Sequence, residues 1–280
     1  MQLNHTVHAF LNHYPYEQVC EIENYHHLYP EIFETYFNGY CKKTDDKMTA
    51  AMDKYLDDVE RIKAISRLMP ETVEEIKEIT ETYFGFPIDV PVHLFVGLYA
   101  SNAFVDHQSG IYFALEQLTP DPELLQVVTA HEFIHSYHYH ILEKAGIEWG
   151  AVDWQSGCPS IYLEGVATFL SRKLVPSHHE SVYYSYHRKG EDWLSFCKFH
   201  RSEIARILLR DLQQASPSID KEWLKLSGGS YFGINRLGYF LGTEFVSNLF
   251  NQMTEVEMLH LLAGGDLNNK MMEWLRMISG

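Results

Sequence analysis

Residues 122–146 read PELLQVVTAHEFIHSYHYHILEKAG, and the way this stretch folds decides how the rest of the chain is read. Asp121 precedes it as an N-cap, Pro122 suits the first helical position, and Glu123 favours the first turn. No Gly or Pro follows until Gly146, which suits a helix stop. The sequence therefore predicts one helix from Pro122 to about Ala145. Apolar residues occur all round it, the signature of a buried helix. Within it stands the pattern H-E-x-x-H, formed by His131, Glu132 and His135. With sixteen histidines in 280 residues, a shuffled chain would contain this pattern roughly 8% of the time, so its context has to carry the reading.

Residues four apart on a helix differ by about 40° in angular position, so His131 and His135 project side by side and two imidazoles can reach one ion. Glu132 lies on the adjoining stripe, poorly placed to bind with the same geometry but well placed beside a water that the metal activates. A buried helix has no reason to spend core positions on His, Glu and His unless a metal or a dense polar network satisfies them. The competing view is an exposed face with ordinary surface histidines.

Zinc that does chemistry needs a third protein ligand and an open position. Residues 158–175, CPSIYLEGVATFLSRKLV, offer one. Pro159 suits a helix start, and Ile161, Val166, Phe169, Leu170 and Leu174 give an amphipathic helix. Glu164 is an acid inside that helix, with Gly165 and Ala167 beside it. Gly costs about 1 kcal/mol against Ala in mid-helix, so Gly165 is expected to let this helix approach the first one closely. Glu143 lies two turns beyond His135 and is a poor ligand for the same ion.

H-E-x-x-H followed 28 residues later by an E-G-x-A helix resembles the gluzincin zinc metallopeptidases. Within them the chain is most similar to small predicted zinc-dependent proteases. The resemblance covers mainly residues 88–250. It implies zinc on His131, His135 and Glu164, with Glu132 as catalytic base, and a zincin-like core in which a strand pairs with extended substrate. "SNAFV" (101–105) and "GIYFALE" (110–116) both suit that strand. The chain departs from the thermolysin pattern at Thr168, where an acid supporting a zinc histidine is usual. It also lacks the metzincin extension after the motif and the aminopeptidase G-x-M-E-N signature, which favours endopeptidase over aminopeptidase.

Peptide hydrolysis also needs a donor for the developing oxyanion. "GGSYFGINRLGYFLGTEFV" (228–246) is the candidate stretch; its RLGYFLG (236–242) resembles the corresponding segment of the predicted proteases, and within the stretch Tyr239 leads, with Arg236 and Tyr231 behind. The structural alternative is that these are core aromatics in a chain with eighteen tyrosines. Asp153, between the two ligand helices, is a candidate partner for the second N–H of a zinc histidine. His138 could face the site from one turn further along. Cys158 reads as an inert thiol and His93 and His107 as structural or solvated. The His26–His27 and His178–His179 pairs read as surface residues.

Further out, residues 31–84 read as helices: Met48, Met52, Tyr55, Val59, Ile62 and Ile65 at helical spacing, then a new helix opened by Pro70 and stopped by Gly85. Val90, Val92, Leu94, Val96 and Leu98 alternate on one face, the period of a strand. The expected fold is α+β and mainly helical. A helical section over 1–85 precedes a zincin-like domain over 86–280, in which a small mixed sheet packs on the motif helix; one continuous domain is the alternative. A formal charge of −16 argues against nucleic acid or an anionic membrane as partner. Cys20, Cys41, Cys158 and Cys197 form no C-x-x-C, and neither a signal peptide nor a membrane span is visible, so a cytoplasmic protein with reduced thiols is expected.

The expected function is zinc-dependent hydrolysis of a peptide or protein substrate. The alternatives are a zinc-bearing scaffold or regulator that cleaves nothing, and a hydrolase of a non-peptide amide. Glu132 weighs against the scaffold, which has no use for that carboxylate.

Overall fold

In the computed structural model, which describes every residue except Ser177, Ala215, Pro217 and Ser218, the chain divides into two units, Met1–Ser136 and Tyr137–Gly280. It is mainly helical with one small mixed sheet, an α+β arrangement. No described helix is long and apolar enough to cross a membrane.

The first unit begins with a strand, β1 (Leu3–His5), followed by α1 (Val7–Asn12), α2 (Val19–Leu28), α3 (Pro30–Gly39) and α4 (Asp45–Phe84). Thr44 caps α4 by accepting the Lys47 N–H, Asp45 and Asp46 complement its positive end, and Gly85 ends it at φ 79°. The expected break at Pro70 does not occur; α4 runs through it as one helix of 40 residues. A proline removes the bond to the carbonyl four residues back. Here that carbonyl, on Ser66, meets the His5 ring Nε2 at 3.0 Å instead.

Three more strands follow: β2 (Val92–Phe95), β3 (Ala103–Asp106) and β4 (Gly110–Ala114). The order is β1-β2-β4-β3, with β1, β2 and β4 parallel and β3 antiparallel at one edge. β2 is buried on both faces. His93, Phe95, Tyr112 and Phe104 show why: their face is covered by aromatic residues of α3 and the residue after it. His93, Tyr112, Phe104 and Tyr40 stack in sequence, with ring centroids 4.4, 4.7 and 3.6 Å apart. Phe33 and Tyr36 cover Phe95 edge-on. His26, expected at the surface, is buried against Phe33 at 4.3 Å.

The segment after β2 is held by buried polar groups. Val96 N–H donates to the Tyr25 hydroxyl, Leu98 N–H to that of Tyr36, and the Tyr55 hydroxyl donates to the Gly97 carbonyl. Glu116 accepts the N–H groups of Gly97 at 2.8 Å and Tyr99 at 3.1 Å. Such a segment is stable away from water only because each of these backbone groups finds a partner.

The helix α5 (Pro122–Lys144) starts in the first unit and ends in the second. The second unit continues with α6 (Cys158–Leu174), α7 (Val182–Ser185), α8 (Glu191–Phe199), α9 (Arg201–Gln213), α10 (Ile219–Leu224), α11 (Leu237–Phe250), α12 (Glu255–Leu259) and α13 (Leu267–Ile278). Its centre is the pair α6 and α11, whose backbones meet at glycines. A Cβ on Gly165 would fall 2.3 Å from the Gly242 carbonyl oxygen, and one on Gly242 would fall 2.3 Å from that of Ile161. The close approach expected of Gly165 therefore serves α11. Leu170 of α6, Leu241 and Phe245 of α11 and Leu275 of α13 are buried in the core of this unit.

Candidate metal centre

The ends of α5 follow from its sequence. The Asp121 carboxylate accepts the Glu123 N–H, and its carbonyl accepts that of Leu125. At the other end Gly146 takes φ 81° while Ile147 N–H donates back to Leu142, a Schellman-type closure. Between these ends every residue from Val127 to His138 is buried. His131, Glu132 and His135 are 2%, 6% and 6% exposed, so three polar side chains stand in the core of one helix.

The His131 and His135 Nε2 atoms are 3.1 Å apart, with ring planes at 80°. Glu164, on α6, completes a group whose ligand atoms all lie within 4.8 Å of one another. Glu132 is not part of that convergent set. The fit to zinc can be judged from donor chemistry and spacing. Two nitrogens bound tetrahedrally at about 2.0–2.1 Å from an ion stand about 3.3 Å apart, close to the observed separation. Two imidazoles and one carboxylate are a donor set that borderline-soft zinc accepts, and three protein ligands leave a position open. The residues fit the ion.

Glu164 is approached from α11. Arg236 takes the N-cap position of that helix at φ 61°, and Tyr239 follows within its first turn. The Tyr239 phenol shares hydrogen bonds with Glu164 and Arg236, and burial pushes its ionisation well above the usual tyrosine range. The Arg236 guanidinium carbon lies 4.1 Å from the Tyr239 ring centroid and 5.2 Å from that of Tyr186. Asp220, on α10, is hydrogen-bonded to Ser160 and sits within the field of Glu164; burial raises its carboxyl above the usual range. The Gly165–Gly242 contact accounts for this meeting. It brings the first turns of α11 against the middle of α6, and Tyr239 stands three residues before Gly242.

The chain matches no family model, and neither curated proteins nor solved structures give a match.

Other candidates are placed elsewhere. Tyr231 donates to the Asp211 carboxylate at 3.1 Å, and Trp223 to the other oxygen at 3.0 Å, so Tyr231 belongs to that network. His138 is fully buried with Nε2 at 2.9 Å from the Leu259 carbonyl, which ties α5 to the end of α12. Asp153 accepts the Ser156 N–H in a turn and meets Asn268. It also borders a cleft of about 370 Å³ lined by Ile147, Val152, Pro159 and Leu262, which contains none of the three convergent residues. The Cys158 thiol is raised to about 11 by burial, consistent with an inert side chain. Glu143 is exposed and takes a weak bond from the Trp149 indole.

Tyr186 and Asp220 were not anticipated. Tyr186 lies 50 residues from Arg236 in a chain rich in tyrosine, and no local pattern marks either residue. Only the packing of the second unit brings Tyr186 to Arg236 and Asp220 to Glu164.

Proposed function

We propose that the chain is a zinc-dependent peptidase of the gluzincin type with a zincin-like core, acting in the cytoplasm on a peptide or protein substrate. The observation that supports it most is the convergence of His131, His135 and Glu164 on a buried H-E-x-x-H helix, with Glu132 outside the convergent set. When bound, zinc supplies a Lewis acid that polarises the scissile carbonyl and brings the pKa of water toward about 7.

The chain's own residues do the rest. Glu132 takes a proton from the attacking water as its oxygen bonds to the carbonyl carbon, then passes that proton to the amine nitrogen as the C–N bond breaks. Tyr239 stands beside Glu164, and its phenol O–H would donate to the developing oxyanion. Substrate main chain pairs with β3. Among the described strands β3 lies at one edge of the sheet, whereas β4 lies between β2 and β3.

The test is zinc content together with hydrolysis of a mixed peptide pool by wild type and Glu132→Gln. The variant should keep its zinc and lose about 10²–10⁴-fold in rate, the usual contribution of a positioned general base. A chain that purifies without metal, or a variant equal to wild type, sinks the reading. Zinc retained with no hydrolysis by wild type points to the scaffold alternative.

A further inference from the structure

Arg236 occupies a position that is unfavourable in three separate ways. Its φ of 61° lies in the left-handed region, and among the described residues only Tyr99 and Tyr186 share that feature without being glycine. Tyr186, at φ 53°, is the residue whose ring lies against Arg236, so two of the three strained backbones meet at one spot. Strain of this kind persists where surrounding structure holds it, and it clusters at ligand sites. Second, Arg236 is the N-cap of α11, where the helix dipole disfavours a cation. Third, its guanidinium is largely withdrawn from water against two tyrosine rings, yet among the described residues no carboxylate comes within 4.0 Å of it.

That last point is unusual for this chain. Arg61, Arg172, Arg201 and Arg210 all have an acid partner at 2.7–3.1 Å. Among the described residues, Arg67, Arg206 and Arg276 have no carboxylate within 4.0 Å and are exposed to water, as is Arg188. In a protein with net charge −16, a half-buried arginine with no carboxylate within 4.0 Å among the described residues is a cation held ready. Glu164 lies within its field and shares the Tyr239 hydroxyl with it. A guanidinium carries five N–H donors in one plane, and a contact with Tyr239 uses few of them. The remainder match the two oxygens of a carboxylate.

We propose that Arg236 is the receptor for a substrate carboxylate, held beside Glu164 by Tyr186 and Tyr239. The inference rests on the peptidase reading for its substrate class. The carboxylate comes either from a free C-terminus near the cleaved bond or from an acidic side chain. Arg236 thereby becomes a specificity residue, distinct from the oxyanion donor.

The experiment uses the full zinc-loaded chain and one peptide sequence in three forms: free acid, C-terminal amide, and amide with one Asp added. Wild type should favour a carboxylate form over the neutral amide by roughly tenfold or more in kcat/KM. Preference for the free acid assigns the C-terminus, and preference for the Asp peptide assigns the side chain. Arg236→Met should bring the ratio of carboxylate to neutral rates to near one, and Arg236→Lys should leave an intermediate ratio. An oxyanion donor would lower all three forms together and leave the ratio unchanged. A wild-type ratio near one, or a ratio unmoved by Arg236→Met, overturns the proposal. The wild-type ratio and the lysine variant decide it should the methionine variant not fold. Where no form is cleaved, the peptidase reading fails and calorimetric binding of N-acetyl-alanyl-alanine and its amide to the metal-free chain decides instead. Binding of the acid alone, lost in Arg236→Met, sustains the receptor; equal or absent binding of the two removes it.

Discussion

Glu116 is 1% exposed and holds the segment after β2 through two backbone N–H groups, with Arg61 donating to its carbonyl. Burial lifts its carboxyl to about 7, against an ordinary value of 4.5. Between those two values the folded chain keeps a proton that the unfolded chain gives up. Stability from this group is thus complete below about pH 4.5, falls as pH rises toward 7, and stays lost above it; the upper bound is of order 3 kcal/mol. Urea midpoints at pH 5 and 7.5 should fall in wild type by more than in Glu116→Gln, which carries no titrating proton. Equal falls in both would place the dependence elsewhere. Tyr239 gives a second expectation at this scale. Tyr239→Phe removes the one O–H assigned to the oxyanion while leaving the ring against Arg236. It should lower kcat by about 10²–10³-fold with KM and zinc content nearly unchanged. Loss of zinc in place of kcat would make the phenol a support for Glu164 alone.

Among the elements, the glycine contact between α6 and α11 is the most sensitive. A methyl group on Gly165 would meet backbone, which cannot rotate away, so the helices must part by an ångström or more. Gly165→Ala should cost roughly 2–4 kcal/mol in urea unfolding despite its better helix propensity. An unchanged midpoint would show that the two helices have room for a methyl group. The same residues show what a sequence can and cannot tell. The extents of α5 and α6 were legible because their caps and stops are local chemistry: Asp121 with Pro122, Gly146, and Pro159. The partner of Gly165 was not, since adjacent residues on a helix point about 100° apart and Glu164 facing one neighbour says nothing of where Gly165 faces. The passage of α4 through Pro70 depends on His5, 65 residues away, reaching the Ser66 carbonyl. β1 escaped notice because three residues cannot display a period, and its place is set by pairing with β2.

For the whole molecule, the ligand group is half local and half tertiary. His131 and His135 meet because a helix turns every 3.6 residues, whatever else the chain does. Glu164 was legible only through the pairing of two motifs, while Tyr186 and Asp220 depend on how the second unit packs. This division has a consequence for stability. The unfolded chain keeps the two histidines near each other along the sequence but separates them from Glu164, so under the proposed zinc reading it would offer the ion two ligands at best, whereas the folded chain would offer three. Binding that favours the folded state by this margin raises stability by mass action, by about 2.7 kcal/mol at a free zinc concentration one hundred times Kd. Adding zinc to chelator-treated protein should therefore raise the unfolding temperature in a concentration-dependent way, and excess chelator should reverse it. His135→Ala removes a ligand without adding charge and should abolish the zinc-dependent rise. A strongly acidic surface can also gather divalent ions, and calcium at equal concentration controls for that, since it prefers six or more oxygen ligands. A rise that calcium reproduces, or that survives in His135→Ala, would belong to surface carboxylates and leave the three converging residues without their ion.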